Sequence, residues 1–174
     1  MPPLFVEEYK LSAEDEARLN PKHAVVVAQL HLVLATSGRR RIFGAREGSA
    51  VAATWRNALT QLQAALLKVS FLPDHVHLAL RLHPAVSPAN LVVELMNAAQ
   101  TVVFEQFPQA VIQAKAARLW QPSAYIGSFG DLASPQISQY IHNWAEGAAG
   151  DLVLPKTDVG ALEYKDHPPS QSPA

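Results

Sequence analysis

Val69-Ser-Phe-Leu-Pro-Asp-His-Val-His-Leu-Ala-Leu-Arg-Leu82 is the stretch from which the fold can be read. Val69 to Leu72 is a short apolar run, Pro73-Asp74 is a turn signal, and His75 to Leu82 alternates with period two, so the segment predicts a tight antiparallel hairpin. On the second strand His75 and His77 stand two residues apart and share a face, while Val76 points into the opposite layer. Two neutral imidazoles so placed can chelate one divalent ion. The same pair can equally be two ordinary histidines of an edge strand, so the rest of the chain has to decide.

Outward from the hairpin, the pattern alternates strand and helix. His23 to Thr36 is rich in Val and Leu and stops at Ser37-Gly38, which predicts a strand. Ser49 to Leu67 places Val51, Trp55, Leu59, Leu62 and Leu66 at spacings of three and four, the mark of an amphipathic helix. Ser87-Pro88 offers an N-cap followed by a proline at the first helical position, and Leu91, Leu95, Ala98 and Val102 supply that helix with an apolar face. Trp120 to Phe129 predicts a weaker extended segment, and Ser134-Pro135 caps a last helix to about Gly147. The order β-α-β-β-α-β plus one helix predicts an α+β fold: a ferredoxin-like or RRM-like sandwich with a central antiparallel sheet and helices on one face.

The 174 residues suit one domain, and 49% apolar content suffices for a core. Residues 1–21 are expected as an accessory N-terminal arm, in which Ser12 to Glu16 can cap a short helix, and residues 22–150 as the main folded domain. Residues 151–174, ending His167-Pro-Pro-Ser-Gln-Ser-Pro-Ala174, are expected as an extended or disordered tail. Stretches such as Leu30 to Ala35 fall far short of the roughly 18 to 20 apolar residues that cross a bilayer, so a soluble, cytoplasmic protein with no membrane partner is expected. No cysteine is present, which excludes disulfides, thiolate metal sites and a cysteine nucleophile. The net charge of −1 averages unlike segments. Residues 22–120 carry ten Lys and Arg against four acids, whereas residues 1–21 stand at −3 and residues 121–174 at −4. A basic body between acidic ends permits a polyanionic partner.

Three blocks, in order, resemble the HUH endonuclease superfamily, named for its His-hydrophobic-His pair. Within it they resemble the single-tyrosine transposases of bacterial insertion sequences, which include the REP-associated tyrosine transposases. Pro73-Asp-His-Val-His-Leu78 looks like the metal-binding strand. His31-Leu-Val-Leu-Ala-Thr36 with Arg39-Arg-Arg-Ile-Phe43 looks like the first strand and its basic turn. Leu119-Trp-Gln-Pro-Ser-Ala-Tyr125-Ile-Gly-Ser-Phe-Gly130, with Tyr140-Ile141 ten residues on, looks like the segment before the nucleophile helix and that helix itself. The resemblance implies Mg²⁺ or Mn²⁺ on His75 and His77, and Tyr140 as the nucleophile that forms a phosphotyrosine. It further implies single-stranded DNA with hairpins as substrate and a homodimer as the active form.

Other readings of these residues stay open. Tyr140 shares a helical face with Ile137, Ile141 and Trp144 and can be a core aromatic, and Tyr125 is the competing tyrosine. Arg39, Arg40 and Arg41 can be a clamp for DNA phosphates or a solvated turn, and Trp120 can pack or stack on a base. His23, His31 and His83 are expected to be structural. The transposases that the chain resembles carry a glutamine four residues after the tyrosine as a third ligand; here that residue is Trp144, and Asn143 is the nearest carbonyl donor. The departure keeps a second function in view, a catalytically silent, domesticated DNA hairpin-binding protein.

Overall fold

A computed structural model of the chain describes residues 2–24 and 27–128. The elements run β1 (Phe5–Glu8), α1 (Ala13–Leu19), β2 (Ala28–Ala35), α2 (Ala45–Gln61), β3 (Ala64–Leu72), β4 (His75–Leu82), α3 (Pro88–Gln106), α4 (Pro108–Ala114) and β5 (Tyr125–Ser128). The five strands form one sheet in the order β1-β3-β4-β2-β5, with every neighbouring pair antiparallel. The β2-α2-β3-β4-α3-β5 portion is the expected ferredoxin-like order.

Alternation along the strands explains the layering. Val76, Leu78, Leu80 and Leu82 of β4, with Leu32 and Leu34 of β2, join the core that α2 and α3 cover. The intervening residues of both strands therefore belong to the other face of the sheet. At the centre of the core Trp55 stacks on Phe71 and on Trp120 with ring centroids 5.7 and 6.2 Å apart, and Phe43 packs against Phe71 and Trp120. The indole N–H groups donate to the α3 carbonyls of Leu95 (2.7 Å) and Met96 (3.2 Å). Two polar groups that would be costly to bury unpaired thus pin α3 to α2 and to the segment ahead of β5.

Several boundaries differ from those the sequence predicts. The helix expected over 49–67 is α2 at 45–61, and β3 starts at Ala64, inside the expected helix. Leu62 and Leu66 fit the helical spacing, but Leu62 closes α2, Gln63 turns with φ +55°, and Leu66 pairs with Leu80 across the hairpin. The strand expected from His23 begins at Ala28. The short α4 carries no prior signal beyond Pro108, and Lys115 ends it in the left-handed region. Ser87 and Pro88 open α3 as expected, the Ser87 hydroxyl accepting from the Asn90 N–H. The expected last helix, with Tyr140, Asn143 and Trp144, and the expected tail lie outside the described residues.

Residues 5–8 of the expected arm form an edge strand on β3, pairing Phe5 with Phe71 and Glu8 with Lys68. α1 follows with a capping box between Ser12 and Asp15, and its Leu19 is fully buried. Among the described residues no helix is long and apolar enough to cross a membrane. Because Leu19 is completely enclosed, Leu19→Ala is expected to lower the unfolding free energy by about 2 to 5 kcal/mol in urea titrations. A change under about 0.5 kcal/mol would mean that the arm is not part of the folded unit.

Candidate functional site

The hairpin turn Pro73-Asp74 is docked onto the segment that follows β2. The N–H groups of Ile42 and Phe43 donate to the Pro73 carbonyl (2.9 and 3.0 Å), the Thr36 N–H donates to the Asp74 carbonyl (2.9 Å), and the Thr36 hydroxyl stands between the carbonyls of Arg40 (2.6 Å) and Asp74 (3.0 Å). Between these contacts Ser37 to Arg39 makes a tight turn in which Gly38 and Arg39 both take positive φ, +62° and +55°. Glycine accepts that conformation at no steric cost, whereas arginine needs an external hold. The hold is Asp74, whose Oδ2 accepts from both Nε and Nη2 of Arg39 at 3.0 and 2.8 Å.

The other oxygen of Asp74 reaches the first histidine of the pair, with Nδ1 of His75 2.7 Å from Oδ1. Burial alone would raise the Asp74 carboxyl, but the hydrogen bonds from His75 and Arg39 outweigh it and hold the group below the ordinary carboxylate range. An ionised carboxylate only accepts, so Nδ1 of His75 carries a hydrogen and its Nε2 is the ring nitrogen turned away from Asp74. The second histidine is also held at Nδ1, here by Nε2 of His31 at 3.3 Å. Burial first, then the neighbouring His75 and His31, push His77 down to about 4, so it is neutral with a usable lone pair at pH 7. His31 is lowered as well, by burial.

His75 and His77 therefore share one face, their rings 5.2 Å apart, and each leaves Nε2 without a hydrogen-bond partner among the described residues. That donor set suits a divalent ion: two imidazoles on one face with their Nδ1 nitrogens already engaged, as metal-bound histidines generally have. Among the described residues no group of three or more His, Cys, Asp or Glu side chains is arranged to hold an ion, so a third protein ligand is not found there.

The other candidates fall into place around this pair. Arg40 and Arg41 are exposed on the turn, but Arg39 is committed to Asp74 and is a structural part of the histidine strand's support rather than a phosphate clamp. Trp120 is 0% exposed within the aromatic core, so it packs and has no ring face to offer a base. Tyr125 lies on β5 opposite Val33, which itself lies opposite His77, and its ring meets His31 edge-on at 6.5 Å. Antiparallel partners project to the same side, so Tyr125 shares the face of the histidines. Sequence reasoning missed His31 and Asp74 as parts of the site. Asp74 was legible only as a turn residue, and His31 becomes a neighbour of His77 only through the β2-β4 register.

A ferredoxin-like sheet thus carries a His-Val-His pair on an inner strand, beside a basic turn. The chain belongs to the IS200-like transposases: the model of that family matches residues 24–144. It is 24% identical over 115 residues to the ISDra2 transposase TnpA of Deinococcus radiodurans, covering 66% of this chain and 82% of that one. To the transposase for insertion sequence element IS200 of Salmonella typhimurium it is 24% identical over 124 residues, covering 71% and 81%. A crystal structure of a candidate transposase from Deinococcus radiodurans R1 superposes with a TM-score of 0.65 at 27% identity, covering 71% of this chain and 95% of that one. The family match begins at residue 24, so β1 and α1 precede it.

The ion pair of Arg39 is mostly shielded from water, and its loss leaves Asp74 short of two charge-assisted bonds. Arg39→Ala is expected to cost about 1 to 3 kcal/mol of stability in urea titrations, whereas Arg40→Ala stays within about 0.5 kcal/mol. Equal effects of the two would contradict the structural role given to Arg39.

Proposed function

We propose that this transposase-family chain is a metal-dependent single-stranded DNA endonuclease and strand transferase that acts at hairpin-bearing ends through a covalent phosphotyrosine on Tyr140. The observation that carries the reading is the histidine pair on one face of β4, with each Nδ1 engaged and neither Nε2 hydrogen-bonded among the described residues, in a chain of the IS200-like family. A divalent ion held by His75 and His77, Mg²⁺ or Mn²⁺, would draw charge from the scissile phosphate and fix its orientation. Tyr140 is the group that family resemblance assigns to the attack. Its Oη forms a bond to phosphorus, the bond from phosphorus to the 3′ oxygen breaks, the phenolic proton passes to solvent and the departing 3′ oxygen takes one up. The phosphodiester energy stays in the tyrosine ester, so a second 3′-hydroxyl can reverse the step and join strands without ATP.

A phenol of pKa near 10 is a weak nucleophile at neutral pH, which is why the reading needs an activated phosphate rather than a strong base. Arg40 and Arg41, exposed on the turn after β2, are the proposed phosphate contacts. Asn143 is the proposed third ligand, one residue before the position at which the family resemblance implies a glutamine. The working form is proposed to be a homodimer. One observation favours a second reading, a silent hairpin-binding protein: Trp144 occupies that later position and cannot coordinate a metal.

Incubating the chain with a hairpin-bearing single strand and Mn²⁺ is expected to trap a protein–DNA adduct that survives denaturing electrophoresis. The adduct should be lost in Tyr140→Phe, His75→Ala and His77→Ala, with hairpin affinity changed less than about threefold because phosphate contacts elsewhere supply most of it. Normal binding without any adduct establishes the silent reading, and an adduct lost in Tyr125→Phe but kept in Tyr140→Phe moves the nucleophile to Tyr125. For the turn, the double variant Arg40→Ala/Arg41→Ala is expected to flatten the dependence of log K on log salt by about 0.7 per lost contact. An unchanged slope assigns both side chains to solvent.

A further inference from the structure

We infer that His31 is a positioning residue for His77: its Nε2 accepts a hydrogen bond from His77 Nδ1–H and so selects the tautomer whose Nε2 lone pair is available for an ion. This inference deepens the metal reading given above and rests on it. For an ion on Nε2 of His77, the geometry does not place His31 as the third ligand in place of Trp144. The two nitrogens of an imidazole point to opposite flanks of the ring, and His31 stands on the Nδ1 flank, 3.3 Å away. An ion on Nε2 of His77 would have the whole ring between itself and His31.

The histidine pair is asymmetric in how firmly it is preset. His75 faces an ionised carboxylate, which only accepts, so one tautomer is enforced. His77 faces a neutral imidazole, which donates or accepts according to its own tautomer. In one arrangement His77 carries the hydrogen on Nδ1 and offers Nε2; in the other His31 donates and the His77 Nε2 is blocked by hydrogen. Register holds the two rings together: His31 pairs with Ala79, two residues along β4 from His77, and the diagonal rings lie 5.5 Å apart. On its other side His31 is packed edge-on by Tyr125, which limits its rotation.

Long-range ¹H–¹⁵N correlation spectra of the full-length chain without metal, at neutral pH, read the His77 tautomer directly. The wild type is expected to show hydrogen on Nδ1 of His77, His31→Leu a mixture of tautomers, and His31→Gln the wild-type state, because its amide oxygen can accept the same bond. Mn²⁺ titration followed by electron paramagnetic resonance should show affinity reduced about 10- to 100-fold in His31→Leu and largely restored in His31→Gln. Unchanged circular dichroism would show that the loss is not one of folding. Hydrogen on Nε2 of His77 in the wild type, or Mn²⁺ affinity in His31→Leu within twofold of wild type, overturns the inference. Three coordinated imidazoles around Mn²⁺ in the wild type overturn it too, by making His31 a ligand. If the wild type binds no Mn²⁺ while the tautomer changes as expected, the metal reading fails and the His31–His77 bond stands.

Discussion

The two oxygens of Asp74 tie the turn after β2 to the first residue of β4. One oxygen holds the guanidinium of Arg39, on the turn after β2; the other holds the imidazole of His75, on the first residue of β4. The backbone of the same residue receives Thr36, and Pro73 beside it receives Ile42 and Phe43. The hairpin tip, the basic turn and the first histidine are therefore one unit. Arg39 sits at positive φ because its side chain is spoken for, and the side chain is spoken for because the turn places it against the carboxylate. Without the carboxylate, the backbone strain at Arg39 and the buried imidazole of His75 would both lose their compensation.

Strand β4 performs two tasks by virtue of its period of two. Val76, Leu78, Leu80 and Leu82 anchor the sheet to α2 and α3 through the core, and His75 and His77 between and beside them present the site on the other face. A slip of one residue in the β2-β4 register would put imidazoles among Trp55, Phe71 and Leu95 and leucines where the ion is proposed, so the hydrophobic core enforces the register on which the site depends. The aromatic pile of Phe43, Phe71, Trp55 and Trp120 strengthens that enforcement. It packs the post-β2 segment, α2, β3 and the chain ahead of β5 against one another.

Much of this was legible in the sequence because it is local. The hairpin, the shared face of His75 and His77, the Ser87-Pro88 helix start and the β-α-β-β-α-β order follow from turn chemistry and period alone. Errors arose where two periods fit the same residues: Leu62 and Leu66 extend a helical stripe on paper, and only the turn at Gln63 separates helix from strand. Arg39 and Trp120 looked available because sequence shows charge and aromaticity but not whether Asp74 or a core has already claimed them. His31 shows the opposite case. Nothing near it in sequence marks it, since its relation to His77 spans 46 residues and exists only once β2 and β4 are aligned.

The first twenty residues, which precede the family match, change what the molecule presents to its neighbours. The nine-residue β3 would otherwise border the sheet with its backbone open, a template on which other chains could pair and aggregate. β1 covers its far half, and Arg18 of α1 donates to the Ala64 carbonyl at the near end. The new border is only four residues long and carries Glu7 and Glu8, a short and charged rim that repels strands of its own kind. The cover also emerges from the ribosome well before the strand it protects. A strand whose cover is built into the same chain leaves a neighbouring copy little bare edge on which to seed misassembly.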